Sequence, residues 1–336
     1  MRLSMLIQNG PMTMPDFSLL DVRVARKTRE ARDVCAFELR PVDGALLPAF
    51  SAGSHIDVHL PGGLTRQYSL CNAPAERHRY LIGVLREPAS RGGSQAMHEL
   101  VREGDTLRIG APRNHFALAA DAQDSLLLAG GIGITPILSM AEHLAAAGGA
   151  FSLHYCVRSA DRAAFADRLR DGGFGARAHV HCDDGDAAQR LDLARLLEAP
   201  RPGRHVYVCG PRGFIDAVQA RAAERGWPPE RVHREFFGAP EVAPGVVEAS
   251  FEVRLARSGR TVVVPKDVSV VKALAAAGIA VPFSCEQGVC GTCLTRVVEG
   301  VPEHRDSYLT PEEQACNDQF TPCCSRSKTP VLVLDL

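Results

Sequence analysis

The sequence predicts a three-domain chain: an antiparallel β-barrel, an α/β domain on a parallel sheet, and a small α+β module. Three observations carry this. The chain has 336 residues, more than one ordinary domain. Residues 17–115 read as short strands parted by Gly, Pro and Asn turns, and from about residue 120 strands alternate with helices. A stretch with two prolines and little periodicity at 239–249 then separates a third pattern, rich in cysteine.

In the first domain, 17–118, the strand candidates are HIDVHL, RQYSL, RYLIGVL and DTLRIG, the pattern of an antiparallel barrel. One short helix is expected at Gln95–Val101. In the second, 119–238, the strand SLLLA leads into GGIGITP and the helix ILSMAEHLAAAG. Strands FSLHYCVR, AHVHC and HVYVCG follow, interleaved with helices AAFADRLR, DLARLL and FIDAVQARAAERG. Such alternation implies a parallel sheet with crossover helices. The stretch 239–249 reads as a linker. In the third domain, 250–336, FEVRLARSGRTVVVP reads as a hairpin, VSVVKALAAAG as a helix, and LTRVV and VLVLDL as strands around a cysteine-rich loop.

Bulk properties exclude several classes. A net charge of −1 gives no signal for nucleic acid or an anionic membrane. No apolar run approaches the roughly 20 residues of a bilayer span. The first 16 residues lack a signal-peptide core and cleavage site, and read as a disordered leader with Met12 or Met14 as alternative starts. Eleven cysteines, unevenly spaced, suit a clustered metal site in a reducing cytoplasm better than a disulfide framework.

The strongest motif is Cys285-Glu-Gln-Gly-Val-Cys290-Gly-Thr-Cys293, with further cysteines at 323 and 324. C-x4-C-x2-C plus one more thiolate is the plant-type spacing for a 2Fe–2S cluster. The alternative, a zinc site, usually comes as two CxxC-like pairs. Gly288 and Gly291 let the loop approach closely and aim N–H groups at sulfur. The hydroxyls of Ser284 and Thr292 are expected to add hydrogen bonds there. The fourth ligand is either Cys323 or Cys324.

Two weaker motifs lie in the barrel. In Arg66-Gln67-Tyr68-Ser69-Leu70, alternation puts Arg66, Tyr68 and Leu70 on one face, where a guanidinium can fork onto phosphate and an aromatic can cover a ring. In Arg91-Gly92-Gly93-Ser94, two glycines and a serine at a helix start make a phosphate cradle. Read alone, the first is also an ordinary strand, and the second a glycine turn with Ser94 as N-cap.

Two loops in the second domain can serve a dinucleotide. Gly130-Gly131-Ile132-Gly133-Ile134-Thr135-Pro136 follows a strand and opens a helix, with Thr135 as the expected N-cap and Pro136 as N1. Val208-Cys209-Gly210-Pro211 stands at another strand end, where a lone cysteine is also a common core residue. Asp183, after the third strand, can hydrogen-bond a ribose 2′-hydroxyl and repel a 2′-phosphate, which favours NADH over NADPH. Arg158, after the second strand, could instead meet a phosphate.

Together these segments resemble the phthalate dioxygenase reductase family. SCEQGVCGTC, EHRDSYLT, PCCSRSK and the terminal LVLDL resemble its C-terminal, β-grasp ferredoxin domain. RQYSL, RGGS and PRNHFAL resemble its FMN barrel, and GGIGITP with CGP its pyridine-nucleotide domain. The resemblance implies FMN, NADH and a 2Fe–2S cluster as cofactors and Cys323 as fourth ligand. It places Tyr68 on the isoalloxazine, Arg66 and Ser94 on the phosphate, and Ser69 near the flavin's reactive edge. It sets Cys209 beside the nicotinamide, and, at Glu235-Phe236-Phe237-Gly238, an acidic residue and Phe237 closing over the flavin; Thr135, at the other nucleotide loop, is expected to flank the nicotinamide from its position there. It further implies a Rieske-type oxygenase partner, with likeness to reductases of aromatic O-demethylases. Two other readings stay open on sequence: an FAD-dependent reductase for a different acceptor, and a redox-inactive binding protein that kept the fold.

Overall fold

The computed structural model of the chain describes residues 19–61, 63–88, 92–171, 173–238 and 249–336. The leader 1–16, nearly all of the linker at 239–249, and Arg91 lie outside the described residues.

Six strands form the first sheet: β1 (Leu20–Ala31), β2 (Val34–Pro41), β3 (His55–His59), β4 (Thr65–Ser69), β5 (Tyr80–Leu85) and β6 (Thr106–Ile109), in the order β4-β3-β6-β1-β2-β5. Every pairing is antiparallel. The two outer strands close on each other where Leu70 bridges Ile82 and Cys71 N donates to Leu81 O at 2.9 Å. Alternation supplies the interior: Val22 and Val24 on β1 are buried while Asp21 and Arg23 are exposed. Phe37, Ile56, Leu70, Tyr80 and Met97 fill the barrel. Side chains of this kind contribute about 1.5–3 kcal/mol each when fully buried. The short helix α1 (Gly93–Glu99) adds Met97 to this core.

The second sheet contains β7 (Asp124–Gly130), β8 (Ala150–Val157), β9 (Ala178–Cys182), β10 (Arg204–Cys209) and β11 (Val232–Glu235), all parallel, in the order β11-β10-β7-β8-β9. Its crossover helices are α2 (Ile134–Ala146), α3 (Ala166–Asp171), α4 (Leu193–Leu196) and α5 (Arg212–Glu224). Ser125–Gly130 are buried throughout, because apolar clusters cover both faces of this central strand. The chain order reverses between β7 and β10, and ligands of open parallel sheets sit at the carboxyl end of such a switch point.

The third unit holds β12 (Phe251–Leu255), β13 (Thr261–Val264), helix α6 (Val270–Ala276), β14 (Thr295–Glu299), β15 (Pro302–Glu303), helix α7 (Pro311–Cys316), β16 (Gln319–Phe320), β17 (Arg326–Ser327) and β18 (Val331–Leu334). Its sheet runs β13-β12-β18-β14-β16, with β12 and β18 parallel, and β15 pairs with β17. Helix α7 was not anticipated. Its signal was present: Thr310 and Glu313 form a capping box, which nucleates even a short helix. Among the described residues no helix is long and apolar enough to cross a membrane.

Candidate functional site: a cavity between barrel, nucleotide sheet and cysteine loop

On the barrel, Arg66 projects from β4 across the start of α1. A Cβ at Gly93 would lie 2.5 Å from Arg66 Cγ and 2.6 Å from its Nε, so only glycine lets this side chain pass. The two barrel motifs therefore form one surface. Ser94 is not the N-cap of α1; that position is Gly92, in the left-handed region, and Ser94 Oγ accepts from Glu87 N at 3.1 Å. Leu70 also departs from expectation. Strand β4 ends at Ser69 and alternation ends with it, so Leu70 turns into the barrel core instead of joining Arg66 and Tyr68.

On the nucleotide sheet, the loops after β7 and β10 flank the switch point and touch through their backbones. A Cβ at Gly133 would lie 2.2 Å from Cys209 O, and one at Gly210 would lie 2.9 Å from Gly130 Cα. Gly131–Gly133 form a 3-10 turn, and α2 begins at Ile134 with Gly133 as its N-cap. Thr135 is thus inside the first turn at N2 rather than capping it, Pro136 stands at N3 rather than N1, and the Thr135 hydroxyl donates to Ile132 O at 3.0 Å. The 3-10 turn uses up the residues the sequence reading assigned to the loop.

Cys209 is wholly buried, and burial pushes its thiol well above the ordinary range, with Glu235 beside it adding to the rise. Pro211 immediately precedes α5. Arg158 and Asp183 stand exposed at the carboxyl ends of β8 and β9, where Asp183 N donates to Val157 O at 2.9 Å.

In the cysteine loop, Cys285, Cys290, Cys293 and Cys323 are all buried, and all eleven cysteines of the chain are free thiols. Cys285 contacts Cys290 and Cys323, and Cys323 also contacts Cys293, so the four sulfurs face one another. Among the described residues no group of three or more His, Cys, Asp or Glu side chains could hold a metal ion. A two-iron cluster, which divides four thiolates between its irons, has looser demands than a single ion, and these four thiols suit it. Gln287 N points at Cys285 Sγ at 3.3 Å, and Cys290 Sγ meets Thr292 Oγ1 at 3.2 Å. Hydrogen bonds from the Cys290 and Cys323 thiols, with smaller ones from the backbone of Val289 and Gln287, hold the Cys285 thiol well below its ordinary range. Cys324 Sγ turns toward Thr321 Oγ1 at 3.3 Å and fills the space a Cβ at Gly288 would need. Gly291 has φ +67°, and a Cβ there would lie 2.2 Å from the Tyr308 ring. Ser284 Oγ, expected at the cluster, donates to Asp57 Oδ1 instead.

A cavity of about 290 Å³ joins the three regions. Arg66, Tyr68, Ser69 and Ser94 line it from the barrel, Ile132, Thr135, Glu235, Phe236 and Phe237 from the nucleotide sheet, and Cys285 and Val289 from the cysteine loop. Its size and mixed apolar and hydrogen-bonding walls suit a flat heteroaromatic ring with an anion at the Arg66–Ser94 end. A larger open depression of about 500 Å³ at Arg29–Arg32 and Asp161 includes none of the motif residues. Phe236 lies 4.3 Å from the Arg212 guanidinium, whereas Phe237 is 39% exposed. Glu235 is half-buried as a residue, but its Oε2 is sealed from solvent and has no hydrogen-bond partner among the described residues. Burial raises its carboxyl to about 8. His55, Gln67 and His115 also line the cavity; Gln67 and His115 fall inside RQYSL and PRNHFAL without an expected role, and strand pairing and the barrel exit bring all three there. Gly131, Arg158, Asp183, Cys209, Gly210 and Pro211 do not line it; they stand at the strand ends beyond.

Fold and site together define a modular oxidoreductase in which a ring-binding barrel, a nucleotide sheet and a cysteine cluster share one junction. Residues 253–328 match the 2Fe-2S iron-sulfur cluster binding domain family. Residues 110–232 match the N-terminal domain family of dimethylamine monooxygenase subunit DmmA-like proteins. The chain is 57% identical over 319 residues to a vanillate O-demethylase oxidoreductase of Pseudomonas putida, covering 95% of this chain and 100% of that one. Its structure is similar to that of phthalate dioxygenase reductase, described as modular for electron transfer from pyridine nucleotides to [2Fe-2S]. There the TM-score is 0.76 at 40% identity, over 95% of this chain and 98% of the other. An intact type IV self-sufficient cytochrome P450 monooxygenase gives a TM-score of 0.80 at 40% identity, over 95% of this chain and 41% of that one. The chain belongs to the phthalate dioxygenase reductase family.

Proposed function

We propose that the protein is the NADH-dependent reductase component of an aromatic oxygenase system, an O-demethylase of the vanillate type. Electrons pass from NADH through FMN and a plant-type 2Fe–2S cluster to a Rieske-type oxygenase. The observation that carries this reading is that Cys285 lines the same cavity as Tyr68, Ser69, Thr135 and Glu235. FMN, when bound, takes the two electrons of a hydride together and releases them singly, which matches a donor of pairs to a one-electron cluster.

The chain's own residues supply placement. Arg66 and Ser94 hold the phosphate end and Tyr68 covers the ring. Gly131, Gly133, Gly210 and Pro211 keep the backbone low enough at the switch point for a dinucleotide to approach. Thr135 and Cys209 flank the nicotinamide, and Phe237 lies over the cavity where that ring must enter. Asp183 selects the 2′-hydroxyl of NADH. Cys285, Cys290, Cys293 and Cys323 hold the cluster, with Cys285 as the thiolate nearest the flavin cavity. Ring walls and the sealed Glu235 exclude water from the transfer path.

Likeness to a self-sufficient cytochrome P450 monooxygenase supports a second reading, in which the acceptor is a haem oxygenase. The test is the purified protein with NADH. Flavin released by heat is FMN, NADH bleaches flavin and cluster absorbance in turn, and vanillate demethylation requires both this chain and a Rieske-type oxygenase. Recovery of FAD, or turnover only with a P450 acceptor, overturns the corresponding part.

A further inference from the structure

Ser284 stands next to a cluster ligand, yet its hydroxyl serves another domain. The residue is 5% exposed, and its one proton is donated to Asp57 Oδ1 at 2.7 Å, across the boundary between cysteine loop and barrel. Asp57 is itself buried on β3. Its Oδ2 accepts from Arg113 Nη2 at 2.6 Å, and its Oδ1 accepts also from Gln67 Nε2 at 3.0 Å. A buried carboxylate persists only when paired and hydrogen-bonded, so losing any of these partners is costly. One partner is supplied by the residue that precedes Cys285. Both Gln67 and Cys285 line the shared cavity.

A second contact holds the same loop. The Tyr308 ring meets the His115 ring edge-on with centroids 5.8 Å apart, and Tyr308 packs on Gly291. Next to it, Ser307 Oγ accepts from Arg212 Nη2 at 3.1 Å, tying the ferredoxin module to the nucleotide domain. The cysteine loop is thus fixed from two sides.

We propose that Asp57 and Ser284 form an interdomain clasp that holds Cys285 at the flavin cavity wall, which makes both of them positioning residues for the electron step between the two cofactors. This rests on the function proposed above. The step moves one electron from reduced flavin to oxidised cluster and makes or breaks no covalent bond, so its rate answers to distance and packing at that wall.

Four full-length holoproteins test it: wild type, Ser284→Ala, Ser284→Thr and Asp57→Ala. Three readouts are taken: hydrogen exchange of peptides spanning 284–294, stopped-flow absorbance after mixing with NADH, and the cluster's midpoint potential by redox titration. In Ser284→Ala the loop exchanges faster and the flavin-to-cluster step slows several-fold, because electron tunnelling falls steeply with distance. Flavin reduction by NADH and cluster absorbance per chain stay at wild-type values. Ser284→Thr keeps the hydroxyl and restores both of these readouts, while Asp57→Ala, which removes the acceptor, behaves like Ser284→Ala. Exchange and electron transfer both unchanged in Ser284→Ala would overturn the clasp. So would a shifted cluster potential with unchanged exchange, because that returns the hydroxyl to the cluster. If Ser284→Ala loses its cluster, Asp57→Ala decides, being outside the loop. A wild-type protein without a flavin spectrum fails the proposed function instead, and hydrogen exchange still tests the clasp.

Discussion

Gly133 and Cys209 meet backbone to backbone: a methyl group on Gly133 would lie 2.2 Å from the Cys209 carbonyl oxygen and 2.7 Å from Gly210 N. No real Cβ tolerates such contacts. The two loops, separated in sequence by two strand–helix units, are therefore a single surface whose closeness depends on the missing side chains of Gly133 and Gly210.

Gly133→Ala must push these loops apart. The backbone, not a flexible side chain, is the obstacle, so the cost is at least the roughly 1–3 kcal/mol of overpacking. Thermal unfolding should show a lower Tm. In the protein that remains folded, NADH should bind more weakly and reduce the flavin more slowly, with flavin content unchanged. Wild-type nucleotide affinity in Gly133→Ala would place the dinucleotide elsewhere.

Cys323 and Cys324 are adjacent yet sit in different surroundings. Cys323 meets Cys285 and Cys293, while Cys324 turns to Thr321 and Gly288. Cys323→Ser should abolish the visible absorbance and the reduced-state EPR signal of the cluster, and flavin reduction by NADH should survive. Cys324→Ser should keep both signals. The opposite pattern assigns the fourth ligand to Cys324.

Most of this architecture was legible because its signals are local. Strand–helix alternation gave the parallel sheet, and C-x4-C-x2-C gave the cluster loop. What escaped depends on tertiary placement. Leu70 left the cavity because β4 stops at Ser69, and Thr135 lost its capping role because a 3-10 turn shifted the helix start. Its place beside Cys285, a proposed ligand, points Ser284 to the cluster. Its true partner, Asp57, lies on a different domain, and nothing in the spacing announces that pairing. His55, Gln67 and His115 reach the cavity the same way, through strand register and the barrel exit.

Arg66 is the cation at the barrel end of the cavity, and its side chain lies against Gly93. Arg66→Ala should weaken FMN retention by roughly the 1.5–3 kcal/mol of a charge-assisted hydrogen bond, read as flavin lost on gel filtration. Arg66→Lys keeps the charge but not the fork, and should fall between the two. Gly93→Ala should mimic Arg66→Ala by displacing the side chain. Undiminished flavin content in all three would remove Arg66 from the phosphate site.

Glu235 carries the pH prediction. Burial raises its carboxyl from an ordinary 4.5 to about 8, and Oε2 has no hydrogen-bond partner among the described residues. The folded chain therefore holds this proton through a window in which the unfolded chain has released it. Between about pH 4.5 and 8 the native state binds more protons than the unfolded state, so this group's contribution to stability falls as pH rises. Glu235→Gln removes the titration and keeps the shape. Measured without added nucleotide, the variant should be close to wild type in Tm near pH 5 and increasingly more stable toward pH 8. Flavin reduction by NADH should follow the same group: a neutral carboxyl below about pH 8 offers the cavity an O–H donor and no charge, and ionisation above it places a negative charge beside Cys209. The wild-type rate should fall through that pH, and the Glu235→Gln rate should stay flat. Parallel Tm and rate profiles for the two proteins across the window would show that Glu235 is ionised in the folded state at neutral pH, and so hydrated by water reaching the cavity.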